Sequence, residues 1–82
     1  MGASPVVGGS AVLSPRELEV FALLVEGLTG EEIGTRLLLS PDTVRTHVRN
    51  GMRRLGARTR AHAVALALAQ GLLSLPSPRR EL

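Results

Sequence analysis

The chain has 82 residues and 44% of them are hydrophobic, enough for one small domain with a packed core. It contains no cysteine, which excludes a disulfide framework, a thiol nucleophile and cysteine-ligated zinc. The formal net charge is only +3. Because no apolar run approaches the ~20 residues that span a bilayer, we expect a soluble, cytoplasmic protein without membrane contact.

Both ends of the chain read as flexible tails. Residues 1–12 are rich in Gly, Ser and Ala and carry no charged side chain, which is typical of a tail or a linker. Residues 74–82 contain Pro76, Pro78 and a charged end. We therefore expect the folded domain to occupy residues 13–73.

The first predicted helix begins at Ser14, because Ser14 and Glu17 have capping-box spacing and Pro15 stands at the first helical position. It ends near Gly27, a suitable left-handed C-terminal cap. Its apolar stripe is Val20, Phe21, Leu24 and Leu28. Glu17 lies on the same stripe, and we expect it to complete the capping box or to pair with Arg54.

Two further helices follow with a short connection between them. Thr29 and Glu32 form a second capping box that opens a helix to about Leu37, and Ser40 opens a longer helix that stops at Gly56. Two helices joined this closely form a helix-turn-helix unit, whose second helix can enter the major groove of DNA. The buried stripe predicted for this second helix is Val44, Val48, Met52 and Leu55.

Charge is unevenly distributed between the two halves of the chain. Residues 15–35 contain five acidic side chains and one basic one, whereas residues 41–60 contain six arginines and one acid. A concentrated basic segment indicates contact with a polyanion. On the outer face of the third helix, Arg45, Thr46 and Arg49 are suited to contact bases, and Arg53, one turn further on, is suited to contact phosphate.

A fourth helix is predicted from its cap at Thr59 to near Gly71. It carries two apolar stripes, and a peripheral helix of a four-helix unit needs only one of them for the core. We expect the stripe Ala61, Val64, Ala65, Leu68 and Leu72 to be buried. The second stripe, His62, Leu66, Ala69 and Leu73, is then free for contact with a second copy.

Several separated motifs together resemble one family. Residues 13–20 (LSPRELEV), 32–33 (EI), 39–48 (LSPDTVRTHV) and 53–60 (RRLGARTR), followed by Ala63-Val64, resemble the LuxR-type (GerE-type) DNA-binding domain of bacterial transcription regulators. The motifs agree with that family in order and spacing over nearly all of residues 13–73.

The resemblance implies an all-α, four-helix helix-turn-helix domain that binds double-stranded promoter DNA, usually as a homodimer, with helix 41–55 in the major groove. Base contacts are implied for Arg45, Thr46 and Arg49. Phosphate contacts are implied for Thr43 and for the arginines Arg53, Arg58 and Arg60. Dimer contacts are implied for the last helix, and RNA polymerase is a further candidate partner.

Two glycines depart from the family pattern. Gly51 stands where Ile or Leu is usual, and Gly34 stands where Ala is usual. Each glycine inside a helix costs ~1 kcal/mol relative to Ala. We therefore expect either marginal stability or an unusually close approach of helices at Gly51.

Chemistry beyond DNA binding has little support in the sequence. We expect His47 to be packed or hydrogen-bonded rather than catalytic, and we expect no enzyme activity, cofactor or metal site. Two alternatives to a LuxR-type regulator remain open, a promoter-binding module like region 4 of a sigma factor and a helical protein-interaction module. The chain is either complete or the output end of a longer regulator.

Overall fold

The computed structural model describes residues 13–75. They form four helices, α1 (Pro15–Val25), α2 (Gly30–Leu37), α3 (Pro41–Leu55) and α4 (Arg60–Ala69), and this part of the chain contains no strand. The predicted all-α, four-helix architecture is confirmed. The tail predicted at residues 1–12 and most of the one predicted at residues 74–82 lie outside the described residues.

Side-chain caps begin each helix where the sequence predicts them. The Ser14 hydroxyl accepts a hydrogen bond from the Glu17 N–H at 3.1 Å, and the Ser14 N–H donates to Glu17 Oε1 at 3.0 Å. Thr29 and Glu32 make the same reciprocal pair at 3.1 and 2.8 Å. Because these bonds satisfy N–H groups that the helix itself leaves unpaired, the starts of α1 and α2 follow from local sequence.

The core lies around α3, which packs against each of the other three helices. Its buried cluster contains two residues from α1, one from α2, two from α3 and one from α4, namely Val20, Phe21, Ile33, Val44, Val48 and Ala63. Phe21 is the only aromatic residue of the chain and is completely buried. The buried stripes predicted for α1 and α3 therefore face the core.

Glu17 is a buried carboxylate, with only 3% of its surface exposed. Besides completing the α1 capping box, its Oε1 atom lies 3.6 Å from Nε of Arg54 on α3. Both structural roles expected for Glu17 are confirmed. The contact also assigns Arg54 to the packing of α1 against α3.

The two unusual glycines lie at close approaches between elements. A Cβ atom built on Gly51 would lie 2.6 Å from Cε1 of Phe21 and 3.3 Å from Cδ2 of Leu13. A Cβ atom built on Gly34 would lie 2.5 Å from the carbonyl oxygen of Leu39. The close helix approach expected at Gly51 is confirmed. At Gly34, the absence of a side chain lets the backbone of Leu39, in the turn after α2, lie equally close to α2.

The buried face predicted for α4 is wrong. Ala63 and Ala67 are completely buried, whereas Ala61 and Ala65, which were expected inside, are exposed. Two alanines four residues apart form a smooth stripe, and such a stripe lets the backbone of α4 approach the core closely. Of the predicted stripe, Val64 does pack against the core cluster.

The turn between α2 and α3 contains a residue in a left-handed conformation. Leu38 has φ 61° and ψ 44°, and 90% of its surface is exposed. Immediately after it, the Leu39 N–H donates to the Gly34 carbonyl at 2.8 Å and closes the turn. A β-carbon makes the left-handed conformation unfavourable by about 1–2 kcal/mol, and the exposed Leu38 side chain gains little packing in return.

Replacing Leu38 with Gly is expected to raise the free energy of unfolding by about 0.5–1 kcal/mol. The reason is that relief of the left-handed penalty exceeds the extra entropy that Gly gains in the unfolded chain. Thermal unfolding followed by circular dichroism would show a midpoint a few degrees higher. Leu38→Ala is the control, since it retains the β-carbon and should give no gain. A midpoint lowered by Leu38→Gly would contradict an unfavourable left-handed conformation at residue 38.

Candidate nucleic-acid interface

The outer face of α3 remains open to solvent. Arg45, Thr46 and Arg49 are all exposed, while Val44 and Val48 on the opposite face are buried in the core. Ile33 of α2 joins the same buried cluster, so α2 supports α3 from behind. The structure thus places the three residues predicted to contact bases together on one accessible surface.

Two of these three side chains already have a partner within α3. The guanidinium of Arg45 pairs with the carboxylate of Asp42, with 62% and 88% of the two side chains exposed. The hydroxyl of Thr46 donates to the backbone carbonyl of Asp42 at 3.0 Å. Arg49 makes no ion pair within residues 13–75.

The arginines of the basic segment divide into two groups. Arg45 and Arg54 are paired with carboxylates of Asp42 and Glu17. The others are exposed and make no ion pair within the described part of the chain, and they are Arg49, Arg53, Arg58 and Arg60. Their positive charge is therefore available to an external anion.

A partly open groove of about 320 Å³ joins α3 to the starts of α2 and α4. Arg45 of α3 and Arg60 of α4 line this groove together with Thr29 and Gly30 at the beginning of α2. The fold therefore brings Arg60, which is 15 positions away from Arg45 in the sequence, to the same side of the domain. The two arginines thus border one groove from two different helices.

The remaining predicted phosphate contacts lie at helix starts. Thr43 is half-buried in the first turn of α3, where its N–H donates to the Ser40 hydroxyl at 3.1 Å and its Oγ1 accepts from that hydroxyl at 2.9 Å. The Arg58 N–H donates to Nδ1 of His62 at 3.3 Å. These bonds hold Thr43 and Arg58 next to the positive ends of α3 and α4.

The residues predicted to contact a second copy are not equally accessible. His62 and Ala69 are exposed and Leu66 is half-buried. Leu73 follows α4 and packs against the core cluster, so only part of its side chain reaches the surface. A contact made by α4 would therefore be centred on the first three positions.

Metal-holding clusters and membrane-spanning helices are both absent from the part of the chain that the structure describes. Residues 13–75 contain no group of three His, Cys, Asp or Glu side chains that could hold a metal ion. Within the same range, no helix has the length and apolar composition needed to cross a membrane. His47 is half-buried on α3 and is not part of any such metal-holding group.

Comparison with known proteins assigns this arrangement to a family. The family model described as bacterial regulatory proteins, luxR family, matches residues 11–67. This range contains the whole of α1, α2 and α3 and most of α4. The chain belongs to the luxR family. The expectation of a helix-turn-helix, DNA-binding transcription regulator is thereby confirmed.

Relatives in the luxR family include short and long proteins. The spore germination protein GerE of Bacillus subtilis is 45% identical over 64 residues, which cover 78% of this chain and 86% of that protein. The nitrate/nitrite response regulator protein NarP of Escherichia coli is 42% identical over 60 residues, 73% of this chain but only 28% of NarP. The solved structure of the transcription factor GerE matches with a TM-score of 0.78 and 38% identity, covering 80% of this chain and 98% of that one.

The interactions of one residue on this surface were not predicted from the sequence. Asp42 is the single acid among residues 41–60, and the helical period places it on the same outer face of the third helix as Arg45 and Thr46. What was not predicted is its contact with each of these two residues. The signal was present, because opposite charges three residues apart on a helix commonly pair. Within the luxR-family fold, Asp42 adds an ion pair to a surface that is otherwise basic.

Proposed function

We propose that this luxR-family domain, residues 13–73, binds double-stranded promoter DNA with α3 in the major groove. The observation that carries the proposal is the exposure of Arg45, Thr46 and Arg49 on the side of α3 opposite its buried residues. A major groove admits a helix whose outer face offers hydrogen-bonding and cationic groups to base edges and phosphates. These three side chains are the proposed base contacts.

Each proposed base contact has its own chemistry. Arg45 and Arg49 can each donate two hydrogen bonds to O6 and N7 of a guanine. The hydroxyl proton of Thr46 is engaged by the Asp42 carbonyl, so Thr46 offers the groove an acceptor oxygen and a methyl group. It therefore suits an amino group of adenine or cytosine, or the methyl group of thymine.

Phosphate contacts are proposed for the exposed cations around this helix. Arg53, Arg58 and Arg60 make no ion pair within residues 13–75, and Arg60 borders the same groove as Arg45. Thr43 accepts from Ser40, which leaves its own hydroxyl proton for a phosphate oxygen. Such contacts supply affinity that is independent of sequence and falls as salt rises.

We further propose a homodimer on DNA, formed through α4. His62, Leu66 and Ala69 are its contact positions, with Leu73 contributing the part of its side chain that the core leaves accessible. A symmetric dimer would present two copies of α3 to two half-sites.

RNA polymerase is a further proposed partner. We also propose that the protein acts in the cytoplasm, as a regulator without enzyme activity.

Replacing Arg49 with Ala tests the proposed base contact. A preferred duplex is first selected from a random pool. We expect Arg49→Ala to weaken binding to that duplex by about 1–3 kcal/mol and to relax preference at one base pair. Arg53→Ala should instead weaken binding to all duplexes alike and reduce the slope of log K against log salt by about 1. The measurements are fluorescence-anisotropy titrations at several salt concentrations.

The matched control is Arg36→Ala, which removes one exposed arginine from α2, where it lies beside Glu32 and Thr35. It should change neither preference nor salt slope. Equal weakening of preferred and random duplexes by Arg49→Ala would refute its base contact. An absence of salt-dependent duplex binding by the unmodified chain would refute the whole proposal and favour a protein-interaction module. A chain that stays monomeric at high concentration and on DNA would refute the proposed homodimer.

A further inference from the structure

Asp42 is an unexpected residue on a surface that is to approach DNA. It is the only acid among residues 41–60, and 88% of its side chain is exposed on the first turn of α3. A carboxylate here interacts favourably with the positive end of the helix. Near phosphate, its charge opposes binding.

The contacts of Asp42 connect it to two of the three proposed base-contacting residues. Its carboxylate accepts from the guanidinium of Arg45, and its backbone carbonyl accepts from the hydroxyl of Thr46. An unpaired arginine on a helix surface samples many rotamers, and ordering it on binding costs free energy. A carboxylate one turn away reduces that cost, because it restricts the guanidinium before DNA arrives.

We propose that Asp42 is a specificity-determining residue of the α3 surface, which orients Arg45 toward one base pair and lowers affinity for unrelated DNA. The inference rests on the proposed function of α3. Asp42 acts in two ways. Its ion pair holds the Arg45 guanidinium in place for a two-hydrogen-bond contact with guanine, and its negative charge partly cancels the attraction of α3 to any phosphate.

The two actions make different predictions for Asp42→Asn. Loss of the charge should raise affinity for a random duplex by about two- to fivefold at low salt, which is the scale of one exposed ion pair. Loss of the orienting contact should reduce discrimination at the Arg45 base pair by about three- to tenfold, part of what a well-placed two-bond contact supplies. That base pair is identified beforehand as the one at which Arg45→Ala reduces preference most.

A second background separates the two actions. With Arg45→Ala already present, Asp42→Asn should still raise affinity for random DNA but should no longer change discrimination at that base pair. Asp42→Glu keeps the charge and can still pair at the same spacing, so it should restore the low affinity for random DNA and most of the discrimination. A role confined to helix stability would not produce this base-pair-specific pattern.

The matched control is Glu19→Gln on α1. Glu19 pairs with Arg16 three residues away at 3.0 Å, and the pair is likewise exposed, so this change removes one negative charge from an equivalent ion pair on another helix. It should leave discrimination unchanged. The proposal is overturned if Asp42→Asn leaves discrimination unchanged, or changes it equally when Arg45 is absent. If the unmodified chain prefers no duplex, it is the proposed function that fails.

Discussion

Replacing Phe21 with Ala is expected to lower the free energy of unfolding by about 3–5 kcal/mol, the usual cost of removing a buried aromatic ring. Phe21 is completely buried and is the only aromatic side chain available to the core. A core of this size rarely supplies more than about 5 kcal/mol in total. The variant should therefore retain at most about 2 kcal/mol, and urea titration followed by circular dichroism should show its unfolding midpoint shifted to low urea.

The control for Phe21→Ala is Leu38→Ala, which removes a large apolar side chain that is 90% exposed. It should leave the unfolding midpoint nearly unchanged, because that side chain buries little surface. A loss below about 2 kcal/mol for Phe21→Ala would show that the core around α3 collapses to fill the space, since collapse is what makes such costs small.

Replacing Gly51 with Leu is the second large effect, expected to be about 3 kcal/mol of destabilisation. The resemblance noted in the sequence implies Ile or Leu at this position, and Leu is a better helix former than Gly by about 1 kcal/mol. Here, however, even its first carbon would lie 2.6 Å from Cε1 of Phe21 and 3.3 Å from Cδ2 of Leu13. Overpacking should outweigh the gain in helix propensity.

A double variant gives the sharper measurement. Phe21→Ala vacates the space into which a Leu at position 51 must fit, so the two changes together should cost less than the sum of their separate costs. A coupling of about 1–3 kcal/mol is expected in the urea titrations. Gly30→Ala is the control for adding a methyl group, since a Cβ atom there meets nothing within 4 Å. Strict additivity of the two changes would contradict a shared space.

These variants would show how one helix–helix contact can be built in two ways. With Gly at position 51, the ring of Phe21 lies directly against the backbone of α3, and Gly51 is itself buried. A larger residue at position 51 would need a smaller partner on α1 or a wider spacing between α1 and α3. Exchanges that keep the total volume of a core are the ones that folds tolerate best.

The proposed base-contacting side chains on α3 differ in how far they are ordered before DNA binds. Two exposed side chains, those of Arg45 and Asp42, are paired before any ligand binds, while Arg49 makes no ion pair within residues 13–75. The proposed base contacts therefore differ in how far they are ordered in advance. We expect Arg49 to adapt to the bound sequence more readily than Arg45, because no ion pair restricts its rotamer. Arg49 also loses more conformational entropy than Arg45 when DNA binds.

Local interactions explain most of what could be predicted from the sequence. The capping boxes at Ser14 and Thr29 join residues three positions apart, and the glycine that ends α3, Gly56, has the left-handed φ of 72° that its position requires. Each of these signals is complete within one turn of chain. The helix boundaries, the helix-turn-helix unit and the basic outer face of α3 could therefore be predicted.

The orientation of α4 depended on tertiary structure. Its ten residues, RAHAVALALA, are apolar on nearly every face, so periodicity does not distinguish one face from another. The core has room for a close helix rather than for large side chains, and Ala63 and Ala67 are buried as a result. The left-handed Leu38 likewise has no local signal such as Gly or Asn, and it arises because α2 and α3 must both reach the core.

Caps, helical period and charge act over a few residues, so the limits of the four helices and the arginine-bearing side of α3 follow from the amino-acid sequence alone. Three features depend instead on the packing of the whole domain: the close approach at Gly51, the buried face of α4, and the position of Arg60 beside the same groove as Arg45. These features depend on the shapes of side chains that are distant in the chain and must fill one common volume.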